Sequence, residues 1–167
     1  EQFVGGETLD ETAKVAKKLD KYHVSVILDY GVEGGDYGEE AFDTSMNEFI
    51  RVIEYAATQP NIPFMSVKVT GFARFGLLEK LDSSVSDHEG SLMKRYAQAV
   101  NALTAEEKKE WERVQFRMEK ICQAAADKKI GVLVDAEETW IQDPVDVITI
   151  LMMEKFTMQQ MMEILHL

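Results

Sequence analysis

The sequence predicts an α/β fold in which parallel strands alternate with helices. Three observations carry this prediction. Three short apolar runs, HVSVILDYG (23–31), FMSVKVTGF (64–72) and IGVLVDAE (130–137), are close to continuous rather than alternating. Strands covered on both faces read this way. Segments of helical period lie before, between and after the runs, and the resulting order implies right-handed crossovers between parallel neighbours. The chain has 167 residues, 46% hydrophobic and 29% charged, which is the length of one domain able to bury a core. Residues 1–167 are therefore read as a single domain.

The elements follow in order. Leu9, Ala13, Ala16 and Leu19 share one helical face, and Thr8 with Glu11 has capping-box spacing, so a helix is predicted from Thr8 to about Tyr22. The first strand falls near 24–30. The turn after it, VEGGDYG, is not a GxGxxG fingerprint, and no GxxxxGK[ST] occurs, so the two common nucleotide-binding readings of such a turn fail. Phe42, Met46, Phe49, Ile50 and Ile53 form the stripe of a second helix, to about Thr58. Pro60 and Pro63 end it and introduce a strand near 64–70. SSVSDHEG reads as a loop and SLMKRYAQAVNAL as a helix, which makes about 82–103 a helical insertion. Thr104 and Glu107 repeat the capping box ahead of Trp111, Val114, Met118, Ile121 and Ala125, the stripe of a long helix to about Lys128. A third strand near 130–136 follows. Asp143 and Pro144 have the N-cap and first-turn chemistry of another helix, PVDVITILMMEKF. In TMQQMMEILHL, Thr157 and Gln160 again have capping-box spacing, and the segment reads as helix.

Charge and composition exclude several functions. Eighteen Lys and Arg against 30 Asp and Glu give a net charge of −12. A field of that sign repels phosphate backbones and anionic lipid, so nucleic-acid and bulk membrane-surface binding are not expected. Cys122 is the single cysteine; it supports no disulfide framework, and no Cys/His spacing suggests zinc. No apolar run reaches the ~18 residues of a membrane span. The chain starts at Glu1 with no signal-peptide pattern, so a natural start further upstream is expected.

The informative charges lie at the strand ends. Asp29 and Glu33 close the first run, Lys68 interrupts the second between Val67 and Val69, and Asp135, Glu137 and Glu138 close the third. In parallel α/β folds the carboxyl ends of the strands form the ligand-facing rim. The two-residue strand period puts Lys68 with Ser66 and Thr70, and Asp135 with Glu137. One cation among several carboxylates suits a small zwitterionic ligand. A second reading is an internal Lys68–Asp135 ion pair that only sets strand register. A third is a Mg²⁺ site of Asp29, Asp135 and Glu137, although Lys68 would compete for those carboxylates. His23 at a strand start, His88 in the acidic loop and the methionines near the C-terminus read as edge, surface and packing residues.

Taken together, LDYGVE (28–33), SVKVTGFARFGLLEK (66–80) and VDAEETWIQDPVD (134–146) resemble the proline dehydrogenase family, over roughly Phe3 to Phe156. The resemblance implies a (β/α)8 barrel of TIM type. It also implies non-covalent FAD, oxidation of L-proline to Δ1-pyrroline-5-carboxylate in proline catabolism, and a membrane quinone as electron acceptor. Lys68 looks like the lysine that meets the proline carboxylate, and Asp135 like the aspartate beside flavin and substrate, with Ala136 also lining the flavin. Glu33 is similar to the acidic residue whose pairing with a late arginine gates the site. No resident metal is implied. The place implied is the cytoplasm, the periphery of a bacterial inner membrane or the mitochondrion, with peripheral membrane contact in a full-length protein.

The chain departs from the family in extent. Such a barrel needs ~250 residues, and only three of eight units are present. The later flavin-binding strands and the arginine-bearing C-terminal helix have no counterpart, and a helix stands where a fourth strand is expected. The expectation is a partial barrel, an incomplete fragment inactive by itself, with an open sheet edge that favours self-association. The alternatives are a non-catalytic remnant acting as an interaction subunit, and a Mg²⁺-dependent barrel enzyme.

Overall fold

A computed structural model describes residues 5–6, 8–31 and 38–165. Thr8 Oγ1 accepts the amide of Glu11 at 3.3 Å and starts α1 (Leu9–Asp20). The chain then turns through His23, whose φ of 58° is left-handed, and enters β1 (Ile27–Asp29). The buried amide of Asn61 joins these pieces. Its Nδ2 donates to the carbonyls of Ala16 and Val24, both at 3.0 Å.

After β1 come α2 (Glu39–Ala56), β2 (Phe64–Val67), a 3-10 turn (Val69–Gly71), α3 (Phe75–Ser86) and α4 (Leu92–Ala102). Then follow α5 (Ala105–Lys128), β3 (Gly131–Val134) and α6 (Gln142–Leu165). The strands form a parallel sheet in the order β1-β2-β3, with Leu28 beside Met65 and Met65 beside Val132. The alternation of strands and helices is as the apolar runs predict. Among the described residues the sheet is not closed into a barrel.

The two faces of the sheet differ. Leu28, Met65 and Val67 are buried under α2 and α5, whose Phe49, Val52, Ile53, Val114, Met118 and Ile121 complete the core. Phe49 stacks edge-on against Tyr30 and Phe72 at 5.5 and 6.0 Å. On the opposite face Ile27, Phe64 and Leu133 are 54%, 42% and 40% exposed. In a closed barrel that face is interior and filled by layers of side chains from all the strands. The ring of Phe64 lies across Gly131, its register partner, where a Cβ would meet ring carbons at 2.4 and 2.6 Å.

Several boundaries differ from the sequence expectation, each for a local reason. The second strand stops at Val67, because the chain tightens into the 3-10 turn, so Lys68 lies just past the strand and Thr70 inside the turn. SSVS is not loop: Leu77, Leu78, Leu81 and Val85 give α3 a buried face that carries the helix to Ser86. The helical insertion thus starts at Phe75 rather than near 82. His23 precedes the first strand instead of starting it. Thr157 does not start a new helix, since α6 runs through it without a break. α6 begins at Gln142, and the Asp143 amide is capped by Asp82 Oδ2 at 2.9 Å, a partner 61 positions away.

The Thr104 capping box is complete. Thr104 Oγ1 accepts the Glu107 amide, and Glu107 Oε2 accepts the Thr104 amide at 2.9 Å. Lys80 together with that amide holds the Glu107 carboxyl down to about 2. We expect Thr104→Ala to lower stability by about 1 kcal/mol in urea unfolding. Because the Glu107 pKa is depressed, its contribution is complete above the ordinary value of 4.5 and is lost as pH falls toward 2. Lys80 and the Thr104 amide, the leading causes of that depression, are kept in Thr104→Ala, so parent and variant should lose this part of their stability together across that window.

Candidate functional site

The carboxyl ends of the strands carry the polar residues of the open face. Ser66 pairs with Asp29 of β1 across the sheet. On the other side the Asp135 amide donates to the Val67 carbonyl at 3.0 Å, which carries the β2–β3 pairing one residue past β3. Lys68 and Asp135 therefore come side by side at the rim, on the face of the sheet that Ser66 shares.

Two hydroxyl–carboxylate bonds stitch the rims of β2 and β3 together. Ser66 Oγ donates to Asp135 Oδ1 at 2.6 Å. Thr70 donates twice to Glu137, from its amide to Oε1 at 3.2 Å and from its hydroxyl to Oε2. The Glu137 amide in turn donates to Gln142 Oε1 at 2.9 Å, which ties the segment to the start of α6. Ser66 and Thr70 lie two residues before and after Lys68, so the lysine sits between the two bonds.

Lys68 is half-buried in extended backbone, with φ −108°, and has no ion-pair partner among the described residues. The alternative reading, a Lys68–Asp135 ion pair, does not form among the described residues; the Ser66 hydroxyl takes one aspartate oxygen. Asp29, Asp135 and Glu137 do not converge on a common point either. Among the described residues no three His, Cys, Asp or Glu side chains form a group able to hold a metal. The Mg²⁺ reading finds no ligand set among the described residues. Ala136 is exposed beside Asp135, and Glu33 lies outside the described residues.

Sequence reasoning missed Arg117. It is 1% exposed on α5, between Val114 and Met118 on the buried face. It reaches Glu39 and Asp43 at the start of α2 and the carbonyl of Phe72 beyond the Lys68 turn. The signal was an arginine inside an apolar helical stripe. Arg113, one turn earlier, donates to Glu39 at 2.8 Å. That bond is the largest cause holding the Glu39 carboxyl below the ordinary value; burial opposes it, and Arg117 adds to it.

The described residues also leave a groove of about 230 Å³ between α5, β3 and α6, lined by Met118, Cys122, Val132, Val134, Met152 and Phe156. Cys122 is largely buried there, and desolvation followed by the Glu119 charge pushes its thiol up to about 12. It packs against the core as a small hydrophobe. No helix among the described residues is long and apolar enough to cross a membrane.

The chain is similar to known proteins over most of its length. The chain is 31% identical over 163 residues to mitochondrial proline dehydrogenase 1 of Dictyostelium discoideum, covering 84% of this chain and 28% of that protein. It is 30% identical over 168 residues to mitochondrial proline dehydrogenase 1 of Arabidopsis thaliana, covering 87% and 34%. It is 29% identical over 154 residues to the carbapenem antibiotics biosynthesis protein CarD of Pectobacterium carotovorum subsp. carotovorum, covering 92% and 36%. The chain thus spans about a third of the length of these curated relatives. Residues 12–166 match the model of the proline dehydrogenase family, and the chain belongs to that family.

Proposed function

We propose that this chain supplies the first part of an L-proline dehydrogenase site, with Lys68 receiving the substrate carboxylate and Asp135 orienting the substrate nitrogen. The observation that carries the reading is the pair of bonds from Ser66 to Asp135 and from Thr70 to Glu137. They occupy the neighbouring carboxylates with hydroxyl donors and leave the Lys68 ammonium without an ion-pair partner among the described residues. A half-buried ammonium in that state is best satisfied by an anionic ligand. A charged hydrogen bond to a carboxylate there contributes ~1.5–3 kcal/mol. Asp135 keeps Oδ2 to accept an N–H from the secondary ammonium of proline.

FAD fits this segment in part. The small, exposed Ala136 next to Asp135 gives the edge of a flat ring room to approach. The arginines Arg74 and Arg95 are committed to Glu110 and Asp143, so no pyrophosphate cradle is assigned to them. FAD, when bound, supplies the two-electron acceptor for amine oxidation. Holding its nucleotide, and delivering electrons to a quinone, fall to parts of the family barrel this chain does not span. Glu33, outside the described residues, would act as the gate.

Anaerobic mixing of L-proline with the FAD-loaded protein, in its longest natural form, tests the reading. Bleaching of the oxidised flavin band is the expected result; a band unchanged by proline would overturn it. The 167-residue chain alone, given FAD, is expected to leave proline unoxidised, because catalysis requires substrate and cofactor held in register. Turnover by that chain would show that three strands suffice. The second reading, a non-catalytic interaction subunit, is favoured by the open face of Ile27, Phe64 and Leu133. It predicts a natural form that binds partners and gives no flavin reduction.

A further inference from the structure

Arg117 is the most buried charged side chain of the described core, and its guanidinium joins α5 to two other segments. Nε donates to Asp43 Oδ1 at 2.7 Å. Nη2 donates to the Glu39 carboxylate and, at 3.3 Å, to the Glu39 carbonyl. Nη1 donates to the Phe72 carbonyl at 3.4 Å, and the guanidinium carbon lies 5.5 Å from the centre of the Phe42 ring. Glu39 opens α2, the helix that follows β1, and Asp43 lies one turn on. Phe72 closes the turn that follows β2, four residues after Lys68. α5 itself leads into β3 and so toward Asp135.

We propose that Arg117 is the positioning residue of the rim, a latch that holds the Lys68 turn and the start of α2 in register with the strand bearing Asp135. The part concerning ligand binding rests on the proline-site reading above; the latch itself does not. Stability alone explains the residue poorly, since a buried ion pair is often no better than a well-packed hydrophobe of the same volume. Direction is what the guanidinium adds. Its planar fork satisfies two carbonyls and two carboxylates at fixed angles, which an apolar side chain cannot do. Thr70 and Glu137 fix the inner side of the same turn to the segment after β3, while Arg117 fixes its far end to α5. The turn is thus held at its centre and at its far end, and Lys68 lies immediately before it.

The test combines amide hydrogen exchange with binding of tetrahydro-2-furoate, a proline isostere whose ring oxygen replaces the oxidisable nitrogen. Both are measured on the longest natural form of the protein. Arg117→Met, which keeps the volume and removes the donors, should speed exchange at residues 39–46 and 68–74 by roughly ten- to a hundredfold relative to residues 144–152 of α6. It should weaken tetrahydro-2-furoate binding at least tenfold and raise KM for L-proline more than it lowers kcat. Arg117→Lys should recover part of each effect, and Asp43→Asn should show the same pattern more weakly. Exchange that rises equally along the chain, or rim amides that keep the parent's rates, would overturn the latch. Should Arg117→Met not fold, Asp43→Asn decides by the same pattern. Should the parent bind no tetrahydro-2-furoate, the proline-site reading falls, and the exchange pattern alone decides the latch.

Discussion

Lys68→Met in the longest natural form of the protein is expected to raise KM for L-proline roughly ten- to a hundredfold, with flavin content unchanged. The size follows from losing one charged hydrogen bond of ~1.5–3 kcal/mol at a half-buried site. Methionine keeps most of the side-chain volume, so the local packing of Val67 and Val69, both fully buried, is left in place. The Ser66–Asp135 and Thr70–Glu137 bonds do not involve the ammonium, so they also survive the substitution. A loss confined to substrate affinity is therefore the signature of a carboxylate ligand. Steady-state kinetics with flavin absorbance measure it. An unchanged KM at normal FAD occupancy would rule out Lys68 as the carboxylate ligand.

Asp135→Asn should lower kcat roughly ten- to a hundredfold and raise the flavin midpoint potential. The asparagine keeps the shape and can still accept the Ser66 hydroxyl, so the stitch between the rims persists. What disappears is a negative charge beside the proposed ring position. Such a charge opposes the negative charge that a flavin gathers on reduction, and its removal favours the reduced form. Each ~1.4 kcal/mol of relief corresponds to about 30 mV for a two-electron couple. The fall in kcat comes from the weaker hold on the substrate nitrogen. Potentiometry and rapid-reaction flavin reduction check the two effects separately, and parent-like values in both would leave Asp135 a structural residue only.

Both variants probe a rim that was partly legible in the amino-acid sequence. The nearly continuous apolar runs around Leu28, Met65 and Val132 marked strands, because a residue buried on either face must be apolar. The periodic stripes of α2 and α5 marked helices for the same reason, and Thr8 and Thr104 marked two helix starts because a hydroxyl at that spacing caps an orphan amide. Lys68 and Asp135 stood out as charges interrupting apolar runs. All of these are signals in which a residue's own chemistry meets a local geometric period. The three motifs that resemble the family, LDYGVE, SVKVTGFARFGLLEK and VDAEETWIQDPVD, all fall within the 12–166 match.

What lay beyond the sequence were partnerships between residues distant along the chain. That Asp135 takes the Ser66 hydroxyl and not the Lys68 ammonium follows from β2–β3 register and from where the strand ends, 69 positions apart in sequence. That SSVS is helix follows from Leu81 and Val85 finding a core to enter. Asp82 capping α6, and Arg117 gripping Glu39, Asp43 and Phe72, join positions 45 to 78 residues apart. The sequence by itself determined the three strands, most of the helices and the positions of Lys68 and Asp135 at strand ends, because burial and local hydrogen bonding act over a few residues. Only the tertiary structure decided which of those charges meet, because hydrogen bonds of about 3 Å depend on the packing of whole elements.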